Sequence, residues 1–361
     1  MERPQDSPGE GIEDLTLTER RWRALVPPEA SASARALYER TRLWSSGNLP
    51  GVDVAYDPRQ EHHWHYAALI EDFASHLPMP ERVGSAPPPQ VLDLGPGDGW
   101  PSIPLAERLE GALVLGVDPS PRRVAVCRAN AVRRGARNAS FVAGDGGALP
   151  VRTGSVDLAV ASHSLEECAE PEVAMRELAR VLRPAGVLRV QSQVWALPAE
   201  EVETITLTEG VDCLLFTYAR RSQEAERERR YVMTLPATGP AVEAHREALI
   251  ETADAPRMYG ETAVEGLSAV AILDRLAPYA LASSFVELRR WTPEWLAEAL
   301  LEAGFREASV TAHPGDAARL AGRGAVRVSE VAAAASFATV TADLGRRVSR
   351  EPGAAMVTAI R

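Results

Sequence analysis

Four stretches of this chain bring carboxylates, an imidazole and bare backbone together at spacings that suit ligand chemistry. In Val91-Leu92-Asp93-Leu94-Gly95-Pro96-Gly97-Asp98-Gly99-Trp100 an apolar run holding one carboxylate gives way to glycines at every second position. Glycine adopts positive φ at little steric cost and lets a ligand reach the backbone with no Cβ in the way. Free amide N–H groups in such a loop, at the head of a following helix, favour an anionic ligand group. Asp118 closes a second apolar run, 112–117, and Asp145-Gly146 follow a third, 139–143. His163 follows a fourth, Leu158-Ala159-Val160-Ala161-Ser162, and an imidazole titrates near neutrality, as a general base must.

Elements of fixed type must hold these residues. Each apolar run is short enough for a buried strand, and the helical spacing after each one makes a series of βαβ units. A parallel sheet built this way gathers its strand ends on one carboxyl edge, where open α/β sheets bind ligands. Asp118 there would accept a pair of ribose hydroxyls, or it would cap the helix that opens at Ser120-Pro121. The G-x-G-x-G spacing differs from the G-x-G-x-x-G of dinucleotide sites.

With Asp93 two residues ahead of Gly95, the stretch resembles motif I of the class I S-adenosylmethionine-dependent methyltransferases, of the small-molecule type. The resemblance runs in order from 91 to 193. It includes Asp157-x-Val-like spacing before His163-Ser164-Leu165-Glu166-Glu167, the helix 173–182 and Arg183-Pro184-Ala185-Gly186, and it resumes at Thr292-Pro293-Glu294-Trp295-Leu296. It implies S-adenosyl-L-methionine as cofactor. The methionine end would lie on Asp93, Gly95, Pro96, Gly97, Gly99 and Trp100, the ribose on Asp118 beside Pro119, and the adenine on Asp145 and Gly146, with Ser162 and His163 bordering the site. Two departures stand out: Glu167 replaces the histidine of the family's L-E-H, and Ala185 the first glycine of its L-R-P-G-G turn. His163 is read as a catalytic base or as a cofactor-contacting or packing residue.

Four of the seven histidines fall between 62 and 76. His62 and His65 share a helical face, yet the sequence fixes no third ligand, so no metal is assigned. In the resembled family the helix before motif I covers the mouth of the site, which makes His62, His65 and Tyr66 candidate acceptor-binding residues; plain packing against the sheet is the alternative.

The implied fold is α/β: a Rossmann-like, seven-stranded, mostly parallel sheet with an antiparallel last strand, an N-terminal helical segment and an insertion after the fifth strand. Boundaries are expected at 1–60 (helical or cap segment, with helices near 15–25 and 31–43), 61–195 (cofactor-binding core), 196–288 (insertion) and 289–361 (completion of the sheet, with a helix over 328–347 and a last strand over 355–360). The insertion is read as a lid over the acceptor site or a homodimer contact, with few core residues of its own. Phe216, Tyr218, Tyr231, Met233, Met258 and Tyr259 are candidates either to line a pocket or to pack.

Of the 361 residues 45% are hydrophobic and 25% charged, and no apolar run approaches the ~18 residues of a membrane span. The polar, acidic first residues do not form a signal peptide, and cytoplasmic residence is expected. A formal net charge of −11 disfavours a nucleic-acid partner. The charge run from Arg220 to Arg230 reads as a solvated helical or hairpin surface, and three dispersed cysteines form neither a disulfide framework nor a zinc cluster. The leading expectation is methyl transfer to a small-molecule acceptor at O, N or C. An RNA or protein methyltransferase, and a cofactor-binding protein with a sensing or non-methylating role, are the alternatives.

Overall fold

The computed structural model describes residues 15–30, 49–57, 59–78, 87–191, 202–209, 212–222, 227–258, 261–264, 266–289, 291–312 and 355–361. The helices expected over 31–43 and 328–347 lie outside them. In chain order the first elements are α1 (Leu17–Leu25) and β1 (Glu29–Ala30), then α2 (Glu61–Ser75) and the alternating series β2 (Gln90–Leu94), α3 (Ser102–Arg108), β3 (Leu113–Asp118), α4 (Pro121–Arg134), β4 (Ala139–Ala143), β5 (Val156–Ser162), α5 (Pro171–Val181) and β6 (Leu182–Gln191). A strand-rich stretch follows with β7 (Val202–Glu209), β8 (Cys213–Ser222), β9 (Arg227–Pro236), α6 (Pro240–Glu251), β10 (Arg257–Met258), β11 (Glu261–Val264), α7 (Gly266–Leu276) and β12 (Ala282–Arg289). The last elements are α8 (Pro293–Glu302), β13 (Glu307–Ala312) and β14 (Ala355–Ile360). They divide into two compact units, one of residues up to Ala32 with Leu197–Leu288, the other of Ser33–Ala196 with Arg289–Arg361.

The second unit is the expected sheet, in the order β13-β14-β6-β5-β2-β3-β4. Neighbours from β6 to β4 are parallel, and β14 runs antiparallel to both β6 and β13. Helices cover both faces, so its strands are continuous apolar runs. Leu92 and Leu94 pack in one core with Met175 and Leu178 of α5 and Leu296 and Leu300 of α8. Val91 points to the other, with Phe73 of α2, Ile103 and Leu105 of α3 and Val124 of α4. Asp72 of α2 takes a bidentate pair of bonds from the buried Arg189 of β6, at 2.8 and 2.9 Å, and the same guanidinium donates to Thr311 of β13 and Thr358 of β14. A charge so placed is stable only because every neighbour accepts a hydrogen bond. Ala185 takes φ +64, the left-handed conformation that the family's glycine suits, and its N–H reaches the Arg361 carbonyl.

The first unit differs from expectation in three ways. It has a seven-stranded sheet of its own, β1-β12-β9-β8-β7-β11-β10. Its apolar core includes Phe216, Tyr218, Tyr231 and Met233, all fully buried, with Ile272, Leu273 and Leu276 of α7 and Ala241 and Ala248 of α6. Those four aromatic and Met side chains are therefore packing residues; the side chain of Met258 and all of Tyr259 lie outside the description. Second, the 1–60 segment is not one piece, because α1 and β1 join the insertion. Trp22 of α1 stacks on Phe216 with ring centroids 5.3 Å apart, and its indole N–H donates to Ser283 Oγ at 2.7 Å. β1 lies parallel beside β12. Third, the Arg220–Arg230 run forms a hairpin as expected, but at its described ends Arg221, Glu228 and Arg229 are buried and not solvated. β8 and β9 form an antiparallel hairpin that pairs Arg221 with Glu228. Both are fully buried and bridge at 3.1 Å, with Arg221 also donating to Thr204 Oγ1 at 2.9 Å. Alternating charge signs met across a ladder neutralise each other, which a reading along the chain alone assigned to water. Among the described residues no helix is long and apolar enough to cross a membrane.

Trp22→Ala should remove about 3–5 kcal/mol from the stability of the first unit, the usual loss for a buried large aromatic. Urea unfolding followed by circular dichroism checks this; an unchanged midpoint would refute the central place of Trp22.

Candidate functional site

β2 delivers the chain to a loop that folds back on its neighbours. Gly95, at φ +73, donates its N–H to the Val117 carbonyl at 2.8 Å, and a Cβ there would stand 2.6 Å from Ser164 Cβ. Gly99, at φ +118, closes a turn onto the Pro96 carbonyl, and a Cβ there would collide with Ile103 Cδ1. Neither place admits a side chain. Gly97 donates its N–H to Asp118 Oδ2 at 3.3 Å, so loop and second strand end are joined directly. Pro96 is buried, close over Gly116 of β3.

Asp93, fully buried, is the carboxyl anchor of this loop. Its Oδ2 accepts from the backbone N–H and the hydroxyl of Ser102, at 3.0 and 2.5 Å, where α3 begins. Its Oδ1 is buried with no hydrogen-bond partner among the described residues. Burial, opposed by the Ser102 bonds and reinforced by the charge of Asp118, pushes the Asp93 carboxyl up to about 8. Asp118 is a capping residue. Oδ1 accepts from Ser120 N at 2.9 Å, and Ser120 in turn caps α4 through Arg123 N. Each carboxylate oxygen has a second lone pair, so this capping role and a ribose-binding role are compatible. Pro119 between them is half-buried.

At the end of β4, Asp145 is exposed, with Oδ1 accepting from Gly147 N at 2.8 Å, and Gly146 is buried with room for no Cβ nearer than 3.0 Å to Cys168 Sγ. At the end of β5, the Ser162 hydroxyl donates to Gln191 Oε1 at 2.7 Å. His163 follows at φ +53, its N–H held by the Gln191 carbonyl at 2.8 Å. Its imidazole is 42% exposed, with Nδ1 3.9 Å from Oε1 of the buried Glu166. The Ser164 hydroxyl then donates to the Leu94 carbonyl, fastening this turn to the glycine loop. The ends of β2, β3, β4 and β5 thus bring Asp93, the glycines, Asp118, Asp145-Gly146 and Ser162-His163 to one edge.

α2 reaches the same loop. The Tyr66 ring meets Trp100 edge-on, centroids 4.7 Å apart at 82°, and His65 stands edge-on to Tyr66 at 5.5 Å. Burial raises the Tyr66 hydroxyl pKa. The side chain of His62 is outside the description, while His63, not among the expected site residues, is buried with Nδ1 accepting from Asp57 N at 2.7 Å. Among the described residues no three His, Cys, Asp or Glu side chains group as metal ligands. The sequence reading also missed Gln191, Glu166 and the buried pair of Asp98 with Arg123 at 3.6 Å. Of these, Asp98 alone carried a signal, as a carboxylate inside a glycine loop.

The residues fit S-adenosylmethionine on their own chemistry. An unsatisfied buried carboxylate oxygen suits an ammonium group, loop amides suit a carboxylate, and Asp118 and Asp145 each retain acceptor capacity for hydroxyl and amino donors. Two outcomes are expected. Asp118→Ala should weaken S-adenosylhomocysteine binding by about 1.5–3 kcal/mol in calorimetry, the scale of hydrogen bonds to a charged group. Because an ammonium ligand prefers ionised Asp93, whose carboxyl sits near 8 in the free protein, binding should release a proton below that pH. Affinity should then rise from pH 6 to 8 by up to about tenfold per unit, and Asp93→Asn should flatten the slope. The same raised pKa makes folding stability from this group fall as pH rises between about 4 and 8, since the folded state holds the extra proton there.

Comparison with known proteins adds the family. Residues 92–190 match the model of a methyltransferase domain. A demethylmenaquinone methyltransferase of Thermus thermophilus is 38% identical over 103 residues, 28% of this chain and 46% of that protein. A malonyl-[acyl-carrier protein] O-methyltransferase of Methylococcus capsulatus is 32% identical over 185 residues, 51% of this chain and 64% of its own. The chain spans less than two thirds of the length of each of these curated relatives. Among solved structures, an amino pentose methyltransferase from Micromonospora echinaspora superposes with TM-score 0.41 at 15% identity, covering 82% of this chain and 91% of that one. With the glycine loop and the strand-end carboxylates in the positions described, residues 92–190 are a methyltransferase domain.

Proposed function

We propose that the chain transfers the methyl group of S-adenosylmethionine to a small-molecule acceptor. The observation that carries this reading is the single sheet edge on which the glycine loop, Asp118, Asp145-Gly146 and the half-exposed His163 meet. Bound there, the cofactor supplies an electrophilic methyl on a sulfonium. The protein's part is positional: loop amides and Asp93 hold the amino-acid end, Asp118 the ribose and Asp145 the base, so that the acceptor meets the methyl in line. Orientation of this kind is worth at most ~7–11 kcal/mol in favourable cases. His163 takes the acceptor's proton where the acceptor is a hydroxyl or an ammonium. Trp100, Tyr66 and His65 supply an aromatic wall beside the loop for an apolar acceptor body. The names of the relatives from Thermus and Methylococcus support a non-macromolecular or carrier-bound acceptor, and the acidic chain argues against an RNA.

The unit with its own sheet, which leaves the chain after β6 and returns at α8, is assigned acceptor recognition, because it interrupts the core where that core's chemistry ends in sequence. A homodimer contact is its second proposed use.

Incubation with S-adenosylmethionine and fractionated cell extract should release S-adenosylhomocysteine, read by mass spectrometry; absence of release from every fraction would favour a non-methylating role. His163→Ala should lower turnover by about 10²–10⁴-fold with an acceptor that must lose a proton and leave cofactor affinity nearly unchanged. Wild-type turnover across pH 6–9 in that variant would return His163 to packing. Joining Ser33 onward without Leu197–Leu288 should leave S-adenosylhomocysteine binding measurable by calorimetry and abolish transfer; retained transfer would remove the acceptor-recognition role of that unit.

A further inference from the structure

We infer that Glu166 is a positioning residue: it holds His163 with Nδ1 turned toward its own carboxylate and Nε2 turned out, so that the imidazole acts as the proton acceptor for the substrate. This inference deepens the methyl-transfer reading and rests on it, since it implies an acceptor of the hydroxyl or ammonium class that must lose a proton.

Three observations converge. First, His163 occupies a left-handed backbone conformation, φ +53, that non-glycine residues rarely take. Strain of this sort persists only where surrounding structure enforces it, and here the enforcing bonds are His163 N–H to the Gln191 carbonyl and Ser164 Oγ to the Leu94 carbonyl. The extended conformation open to a residue at this strand end would send the side chain elsewhere. Second, the imidazole is 42% exposed while the Glu166 side chain, three residues on, is 7% exposed, with Oε1 3.9 Å from Nδ1. A buried carboxylate 3.9 Å behind a half-exposed imidazole lies beyond hydrogen-bond length but close enough for its negative charge to stabilise the imidazolium and to favour a proton on the nearer nitrogen, Nδ1. Third, the short 3-10 turn Leu165–Glu167 that carries Glu166 is anchored by the buried Leu165, so the carboxylate is placed by the same turn that strains His163.

The proton step balances without any further reagent. The acceptor X–H bond breaks, its electron pair stays on X, and the proton forms a bond with Nε2; the resulting imidazolium is paired with the Glu166 carboxylate. Other ionisable groups on adjoining elements are Glu167 on the same turn and Asp145 at the end of β4, and both enter the test as controls.

The test uses the full chain with labelled histidine. In the wild-type protein the imidazole nitrogen shifts of His163, assigned by loss of its signal in His163→Asn, should show the neutral ring protonated on Nδ1; a ring protonated on Nε2 would overturn the proposal, and this reading needs no second variant to fold. Glu166→Gln should lower the titration midpoint of His163 by about one pH unit, the effect expected on removing a neighbouring opposite charge. Glu166→Asp should recover part of the shift, and Glu167→Gln and Asp145→Asn should each move it by less. S-adenosylhomocysteine affinity should stay within about threefold in Glu166→Gln, since the role assigned to that residue is exerted through His163. Midpoints equal in wild type and Glu166→Gln, or moved as far by Glu167→Gln, would sink the assignment. A paired His163 in a protein that releases no S-adenosylhomocysteine would instead sink the methyl-transfer reading alone.

Discussion

Asp93 is a carboxylate set in the middle of an apolar strand, and the site is arranged around keeping it there. Burying such a group without partners is prohibitive, so the first turn of α3 must bring the Ser102 N–H and hydroxyl onto one of its oxygens. That bond pair fixes where α3 starts relative to β2. The eight residues between Asp93 and Ser102 have little choice but the tight loop whose glycines meet Val117, Asp118, Ser164 and Ile103. The other oxygen has no hydrogen-bond partner among the described residues and its carboxyl is displaced toward neutrality. A group poised in this way is costly to the empty fold and useful to a fold that receives a cation, which is the trade commonly found at ligand sites.

The core of the fold was legible because its signals are local. Apolar runs ending in Asp or Gly, alternating with helical spacing, identify parallel strands and their carboxyl edge, and β2 to β6 and β14 fall where those patterns lie. Ligand positions on loops next to glycine were legible for the same reason. What the residue string could not show was pairing at a distance. Glu166 looks like one acid in an acidic turn until the strained backbone of His163 turns an imidazole toward it. Gln191 looks like the end of a strand until it takes the Ser162 hydroxyl.

The insertion was misjudged by a related failure. Its aromatic residues were counted as too few for a core because the residue that completes them, Trp22, lies far upstream. Its charges were assigned to solvent because sign alternation along one strand says nothing about the partner strand. Arg221 and Glu228 neutralise each other across the β8–β9 ladder, and Thr204 and Glu261 also meet the guanidinium. Buried ionic networks of this kind add little net stability, and they are strict about register, since a one-residue slip would strand both charges on the wrong face.

The union of α1 with a sheet whose main strands lie between residues 202 and 289 has a consequence during synthesis. Trp22 leaves the ribosome before any strand of the cofactor core, and Phe216, its stacking partner, follows 194 residues later. At translation rates of about 5–20 residues per second the interval is roughly 10–40 s. Throughout it the methyltransferase domain's first strands can already associate, while α1 carries an exposed indole with nothing to cover it. α1 is thus made before the core and among the last elements to find its place, a span in which a chaperone or the nascent core itself must keep that indole from other chains.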